Sequence, residues 1–520
     1  MNEPTHNINQ TSAFDWEYIS EGGKHAIFSY SPKEKVYNRA NDFFKGKILR
    51  IDKNAFHSEG WSEEYHSVRG RLQIDIFQKL FHSDQTEHQG QVYLDPPSSI
   101  QLDRSFLKNL RKQAIKSCKI PLSRQPDWTS RENHYQHLQG STVTCAILPN
   151  YRASNAISVE IKPKAGYLAS SPLVHPKHNI KYHVSRFQIL QQLNYEGVVS
   201  KGWNKGSTLK RKSSYDPLDL FSCNHDRIRR AVKALFANPQ NNLKVHYCEH
   251  VIHSHETPEQ SVDKNVACIE DENDCSVEIC SQVLETIFEK KQEHERRSDM
   301  ILKDELVNIV SEVLMQDPFL EHLLGLQQGY DILDADGAIL VYNRLVTLCD
   351  GCNEKAEKLI ETCLDSIPDA NGSFMRESLG NDDQFSRKSV EPRSDLMELL
   401  NISGCPVREN RKTTYQKGKG LVEKLNTNDC IMLLRNWLQS LTLCDISFFV
   451  IIKNFKDNAD AERTPQKIRL QSGKLLRYEI KVVDYDVKPA KKLRKREMSE
   501  NKIALCSSMT TPTYLTLAYV

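Results

Sequence analysis

Residues 156–164 read Ala156-Ile157-Ser158-Val159-Glu160-Ile161-Lys162-Pro163-Lys164. Ile157, Val159 and Ile161 alternate with Ser158, Glu160 and Lys162, the period of a β-strand with one apolar face. Continued extended, the strand puts Glu160, Lys162 and Lys164 on its other face. Pro163 removes a ladder donor, which predicts an edge strand or a strand end. Two ammonium groups with a carboxylate between them suit the triphosphate of a nucleotide or a polyphosphate. Alone, the pattern fits a solvated charged edge equally well.

Upstream, Trp16 to Ile51 reads as strand, glycine turn, strand and a further strand over 47–51. A strand over 142–148 stops at Pro149-Asn150. Phe106, Leu110, Ala114 and Ile115 fall at helical spacing. Downstream, helices are predicted over 184–194, 226–237, 335–366 and 431–443. Val283, Leu284, Ile287 and Phe288 belong to one amphipathic pattern, and Leu302, Leu306, Ile309, Val313 and Leu314 to another. Apolar strands follow at 446–452 and 478–484. The polar stretches 256–276 and 369–420 read as insertions or linkers. His246, Cys248, His250, His253 and His255 read as a surface loop. Strand-rich, then helix-rich, then two apolar strands is an α+β pattern rather than regular βαβ alternation.

The chain has 520 residues, enough for two to four domains or one large two-lobed unit. With 39% hydrophobic and 27% charged residues, most of it can bury a core. Lys+Arg is 70 against Asp+Glu 68, so any anion site must be a local cluster rather than a general nucleic-acid or membrane coat. No apolar run approaches the roughly 20 residues of a membrane span. The start, MNEPTHNINQ, does not read as a signal peptide. Fourteen cysteines are too sparse for a disulfide scaffold, so an intracellular protein of cytoplasm or nucleus is expected. Separately, a monomer is expected.

Basic residues do cluster. Residues 201–212 hold five without an acid, and 488–496 hold six in nine positions. The second run reads as a solvated tail or import signal. It lacks the interleaved aromatics that stack bases, so a nucleic-acid partner is not expected. Glu21-Gly22-Gly23-Lys24-His25 could cradle phosphate, though a hairpin turn explains the glycines as well. Pro239-Gln240-Asn241-Asn242 reads as a turn or an amide-bearing ligand loop. Asp445 precedes one apolar strand and Asp484 ends another. Acidic strand ends far apart in sequence are what a magnesium-dependent phosphoryl transferase needs. Turn and cap chemistry is the plainer explanation for either alone. Together the signals follow the order of a kinase-like phosphotransferase.

The run Ser158-Val159-Glu160-Ile161-Lys162-Pro163-Lys164-Ala165-Gly166-Tyr167-Leu168 resembles the signature of inositol-pentakisphosphate 2-kinases. Ser185-Arg186-Phe187, Tyr215-Asp216-Pro217-Leu218-Asp219-Leu220-Phe221-Ser222, Pro239-Gln240-Asn241-Asn242, Asp445 with its strand, and Asp484-x-Asp486-x-Lys488-Pro489 are similar to further blocks in the same order. The resemblance implies a bilobal kinase-like fold related to inositol-phosphate kinases, with helical insertions in the larger C-terminal lobe. It implies a nucleotide lobe over 14–150 and an inositol-phosphate lobe over 151–500. The implied reaction uses ATP and Mg2+ to phosphorylate the 2-hydroxyl of inositol 1,3,4,5,6-pentakisphosphate, giving inositol hexakisphosphate. By position, Lys162, Asp445 and Asp484 would be catalytic, with Asp484 the magnesium ligand. Gly22, Gly23, Lys24, His25, Arg50, Asn150 and Glu160 would serve the nucleotide. Arg131, Lys164, Asn241, Lys488 and Lys492 would bind substrate. That substrate carries about ten negative charges, so a dense lysine cup is needed.

Some positions depart from the resemblance. Leu190 and Asn194 stand where the family carries a His and a Lys that meet substrate, and Arg496 stands near an expected tyrosine. These departures leave a second reading, a catalytically weakened member that acts as an inositol-polyphosphate scaffold. Plant members hold a zinc ion on two Cys and two His. Here Cys349 and Cys352 remain, Leu340 replaces one His, and Cys363 lies nearby, so two reduced thiols are expected rather than zinc.

Overall fold

The computed structural model describes Ile8 and residues 11–21, 25–32, 43–56, 93–95, 97–117, 120, 142–152, 155–195, 212–248, 250–254, 282–288, 298–364, 410–455, 466–470 and 473–509. Two units divide the chain, one of residues 1–158 with 247–250, the other of 159–246 with 251–520. The architecture is mixed α and β with a large helical share.

In the first unit, β1 (Trp16–Glu21), β2 (His25–Tyr30), β3 (Lys47–Asp52), β4 (Ser98–Asp103) and β5 (Thr142–Pro149) form an antiparallel sheet in the order β1-β2-β3-β5-β4. Its buried face is aromatic: Trp16 meets Tyr30 at 5.1 Å and Phe44 at 5.7 Å between ring centroids. Such tilted and edge contacts add to the burial of each ring. α1 (Arg104–Lys116) starts at Asp103, whose carboxylate accepts from Phe106 N at 2.7 Å. Phe106, Leu107, Leu110 and Ala114 face the sheet. Ile115, expected on that stripe, is 37% exposed because it sits half a turn around from Phe106. β4 carries no clear strand signal because Pro-Pro-Ser-Ser at 96–99 resembles a turn; as an edge strand it needs only one partner.

A second sheet, β6 (Ile157–Ile161), β7 (Leu243–Tyr247), β8 (His250–His253), β9 (Ser447–Asn454), β10 (Lys467–Arg469) and β11 (Leu475–Val483), orders as β10-β11-β9-β6-β7-β8; all of it but Ile157, Ser158, Tyr247 and His250 falls in the second unit. β6 is interior, Ser158 is as buried as Ile157, and Pro163 falls past the strand end. Lys162 and Lys164 are therefore delivered at a strand end, not along a solvated edge. His246, His250 and His253 lie on β7 and β8 rather than in a surface loop.

The helices are α2 (Arg186–Tyr195), α3 (Pro217–Leu220), α4 (His225–Ala237), α5 (Ser298–Gln316), α6 (Phe319–Tyr330), α7 (Asp334–Leu348), α8 (Asn353–Leu364), α9 (Arg411–Val422), α10 (Thr427–Leu443) and α11 (Lys492–Met509). Phe319 of α6 meets Phe448 of β9 edge-on at 4.9 Å. Three expectations are corrected. The helix read over 335–366 is two, broken where Gly351 adopts φ +77° and donates to Val346 O at 2.9 Å. The polar stretch 407–420 contains α9, which buries only Tyr415, Gly418 and Val422, too thin a stripe to stand out among lysines. The basic run 488–496 is not a loose tail: it leads into α11, where Leu493, Glu500 and Ile503 are buried.

A buried charge network holds α11. Lys181 donates to Glu500 at 3.0 Å and Asp336 at 3.3 Å, and contacts Asp334. Arg186 pairs with Glu500 and donates to Ser499 at 2.9 Å. Burial opposes the charge on Glu500, but Arg186, Lys181 and Arg496 hold its carboxyl well below the usual range. Because folding lowers this pKa, the stabilisation is present above the unfolded value near 4.5 and is lost as pH falls below it. Glu500→Gln should therefore destabilise the protein by about 3–5 kcal/mol at neutral pH, the cost of stranding buried cations. It should also flatten the acid limb of the stability curve. Urea melts across the acid range check both, and a wild-type curve for the variant would refute the network's role.

Candidate active site

The adjacency of β11, β9 and β6 brings three chain ends together. Val483 of β11 pairs with Ser447 of β9, so Asp484 and Asp445 emerge on neighbouring strands at one end of the sheet. Lys162 leaves β6 beside them, 3.8 Å from the Asp484 carboxylate. Lys164 Nζ lies 3.1 Å from Asp445 Oδ1, and Lys488 Nζ lies 2.6 Å from Asp445 Oδ2. Three lysines and two aspartates, drawn from widely separated parts of the sequence, share one charged cluster.

Backbone anchors fix the cluster. Lys162 N donates to Asn242 O at 2.9 Å, which ties the strand end to the Pro239–Asn242 turn. Tyr215 Oη donates to Pro163 O at 2.7 Å. Lys164 sits at φ +65°, a left-handed conformation that costs a side-chain-bearing residue about 1 kcal/mol. Gly166 closes the loop, and a methyl group there would run into the Phe221 ring. Asp484 also adopts φ +60° and accepts from Ser447 Oγ at 3.4 Å. Lys488 N donates to Thr442 Oγ1 at 3.0 Å, just before Asp445.

The electrostatics favour an anionic guest. Burial pushes the Lys164 amine down, and Lys162 and Lys488 push further, against the pull of Asp445. Lys492 is likewise lowered by burial and by Lys488 and Lys495. Crowded ammonium groups raise one another's free energy, and bound phosphate oxygens would relieve it. Burial works against ionisation of Asp445, yet Lys164, Lys488 and Lys162 hold its carboxyl well below the usual range. It therefore stays a carboxylate through the neutral range.

The other sequence-derived candidates are placed as follows. Glu160 lies 3.5 Å from His246 Nε2, on the neighbouring strand. Asn241 is exposed in the turn whose next residue accepts from Lys162. In the first unit, Arg50 Nη2 lies 3.1 Å from His25 Nδ1, and Asn150 Nδ2 donates to Ser29 Oγ at 2.9 Å. Gly22, Gly23, Lys24 and Arg131 lie outside the described residues, as do residues 201–211. Leu190 packs against Ile189, Leu193 and Ile503, so it belongs to an apolar cluster. Arg496 is held over the Trp437 ring at 5.9 Å.

Several structural contributors carried no sequence signal. Gln191 of α2 exchanges two amide hydrogen bonds with Gln240, at 2.8 and 3.1 Å, fixing the Asn241 turn. Gln327 of α6 is buried against the Lys164 loop. A lone glutamine inside a helical pattern announces nothing by composition. Tyr215 and Asp219 belong to a motif that did stand out; Asp219 serves structure, bonded to Arg227 and Arg230.

The donor set at Asp484 is all oxygen, with Ser447 beside it and the carboxylate 54% exposed. One open carboxylate that leaves room for phosphate oxygens fits magnesium, which prefers that arrangement to an all-protein cage. A second group, His178, Asp336 and Glu500, places three possible ligand atoms within 4.8 Å of one another and could coordinate a divalent cation. Lys181 already sets an ammonium against both of its carboxylates. Cys349 and Cys352 are in no such group among the described residues, and Cys352 Sγ contacts Glu354 at 3.5 Å.

Comparison with known proteins gives a consistent answer. The family model described as inositol-pentakisphosphate 2-kinase matches residues 18–502. An Arabidopsis thaliana inositol-pentakisphosphate 2-kinase is 26% identical over 382 residues, covering 69% of this chain and 76% of that protein. A Danio rerio protein of the same name is 38% identical over 247 residues, 44% of this chain and 42% of its own. An Oryza sativa subsp. indica relative is 27% identical over 259 residues, 46% of this chain and 53% of its own. The chain belongs to the inositol-pentakisphosphate 2-kinase family.

Proposed function

We propose that the chain phosphorylates the 2-hydroxyl of inositol 1,3,4,5,6-pentakisphosphate from ATP, giving inositol hexakisphosphate. The observation that carries the reading is the contact of Lys162, Lys164 and Lys488 with Asp445 and Asp484. Family membership supports a kinase acting on inositol phosphates. In this reading the chain has a bilobal kinase-like fold, with the nucleotide lobe near 14–150 and the inositol-phosphate lobe near 151–500.

The roles follow from the chemistry. Phosphates of the substrate compete with Asp445 for Lys164 and Lys488, and Asn241 and Lys492 add to the cup. The exchange leaves an Asp445 oxygen to orient the substrate hydroxyl. As that hydroxyl oxygen bonds to the γ-phosphorus, its proton passes to Asp445 and the bond to the ADP oxygen breaks. With Lys164 and Lys488 turned to phosphate, the cations that otherwise hold its carboxyl low are drawn away, so Asp445 orients the hydroxyl and takes its proton late, in keeping with a loose phosphoryl-transfer transition state. Lys162 stabilises the charge on the transferring group. Asp484 would hold magnesium, which supplies charge neutralisation across the phosphate oxygens when bound.

Purified chain with ATP, magnesium and the pentakisphosphate should yield hexakisphosphate, resolved by anion-exchange chromatography. Tight pentakisphosphate binding without product would select the scaffold reading instead. Lys162→Ala, Asp445→Ala and Asp484→Ala should each lower kcat by about 100-fold or more, as loss of one preorganised charge can. Near-normal rates in all three would overturn the assignment. Lys492→Ala should raise KM for the inositol phosphate and leave that for ATP; a selective ATP defect would move Lys492 to the nucleotide.

A further inference from the structure

We propose that Gln327 is a positioning residue that clamps the Lys164 loop to the chain leading into Asp445 and so sets the spacing between those two side chains. The inference rests on the reaction proposed above and adds a specific determinant of its geometry.

Gln327 lies in the last turn of α6 and is fully buried. Its amide oxygen accepts from Gly166 N at 3.1 Å. Its amide nitrogen donates to Lys164 O at 3.0 Å and to Leu443 O at 3.2 Å. Both amide hydrogens and the oxygen are engaged, all with backbone. Two of those partners lie in the Lys164–Gly166 loop and the third ends α10, two residues before Asp445. Its own carbonyl accepts from Ser440 Oγ at 2.9 Å, tying α6 to α10 a second time. Four residues along, Asp331 accepts from Tyr167 Oη at 2.6 Å, so the chain just past α6 grips the same loop again beyond Gly166.

The geometry matters because Lys164 sits in a conformation its own side chain disfavours. A left-handed lysine persists only where its surroundings hold it. Here the groups that hold it are the backbone groups on either side of Ala165, both bonded to Gln327. The same side chain reaches Leu443 O, so the loop cannot shift relative to Asp445 without breaking a buried hydrogen bond. A buried donor or acceptor left without its partner there is costly. A displacement of about 1 Å at a reacting centre can cost about 100-fold in rate. Gln327 touches neither Lys164 Nζ nor the Asp445 carboxylate, so its influence is through placement.

Gln327→Glu keeps the shape and the acceptor but removes at least one of the two donors. Ser440→Ala removes the bond to the Gln327 carbonyl and the 3.3 Å contact with Tyr167 Oη, loosening both the α6–α10 tie and the loop while leaving the Gln327 amide in place. The measurement is kcat and KM for each substrate, with hexakisphosphate affinity by calorimetry and melting temperature alongside. Gln327→Glu should lower kcat about 10- to 100-fold and weaken hexakisphosphate binding, with KM for ATP unchanged. The kcat loss should deepen as pH rises, because the introduced carboxylate, once ionised, faces two carbonyl oxygens and can donate to neither. Ser440→Ala should change the same quantities in the same direction by less. Folded variants with wild-type kcat and hexakisphosphate affinity would overturn the clamp, as would a loss confined to KM for ATP. If Gln327→Glu does not fold, Ser440→Ala decides by the same criteria. Wild-type protein that makes no hexakisphosphate refutes the proposed reaction, whereas the calorimetric comparison still tests the clamp.

Discussion

The Asp445 carboxylate, gripped between the ammonium groups of Lys164 and Lys488, is the contact around which the second unit is arranged. Each lysine arrives from a different direction, one past the end of β6 and one from the segment after β11. A pair of cations on one carboxylate is worth little at an open surface. Here the carboxylate is 38% exposed and the lysine side chains 22% each, so the interactions are only partly screened. The arrangement is stable with the aspartate ionised and remains hungry for further negative charge, because three neighbouring lysines face two aspartates.

Much of the remaining fold can be understood as holding those chain ends in place. Tyr215 and Asn242 fix the backbone on either side of Lys162. The Gln191–Gln240 pair fixes the turn that carries Asn241. The network of Lys181, Arg186, Asp336 and Glu500 anchors α11, whose first residue is Lys492. Buried ion networks are weak contributors to stability when compared with apolar packing, but breaking one member is costly. Such a network resists local rearrangement and so holds the first turn of α11, where Lys492 is crowded by Lys488 and Lys495.

The sequence carried the strands and the charged ends of the site plainly. Alternation over 157–161 and the apolar runs before Asp484 and after Asp445 are strand signals that tertiary context only reinforced. It carried poorly the features that depend on long-range packing. α9 buries three residues among lysines and glycines, so its pattern resembled a linker. The 488–496 run looked like a solvated tail because the groups that hold α11 lie far upstream, at Lys181, Arg186 and Asp336, and meet it only through Glu500. His246 and its neighbours looked like a loop because histidine has no strong strand preference, yet sheet pairing made them β7 and β8. Gln327 was silent, since a backbone clamp needs only an amide and the right distance.

On substrate binding, phosphate should take over the lysines that now hold Asp445, and a crystal structure with inositol hexakisphosphate and ADP tests that most directly. It should place phosphate oxygens in hydrogen-bond contact with Lys164 and Lys488, and the phosphate on C2 beside Asp445 and Lys162. Density for the ligand bound elsewhere, with Lys164 and Lys488 still on Asp445, would contradict it.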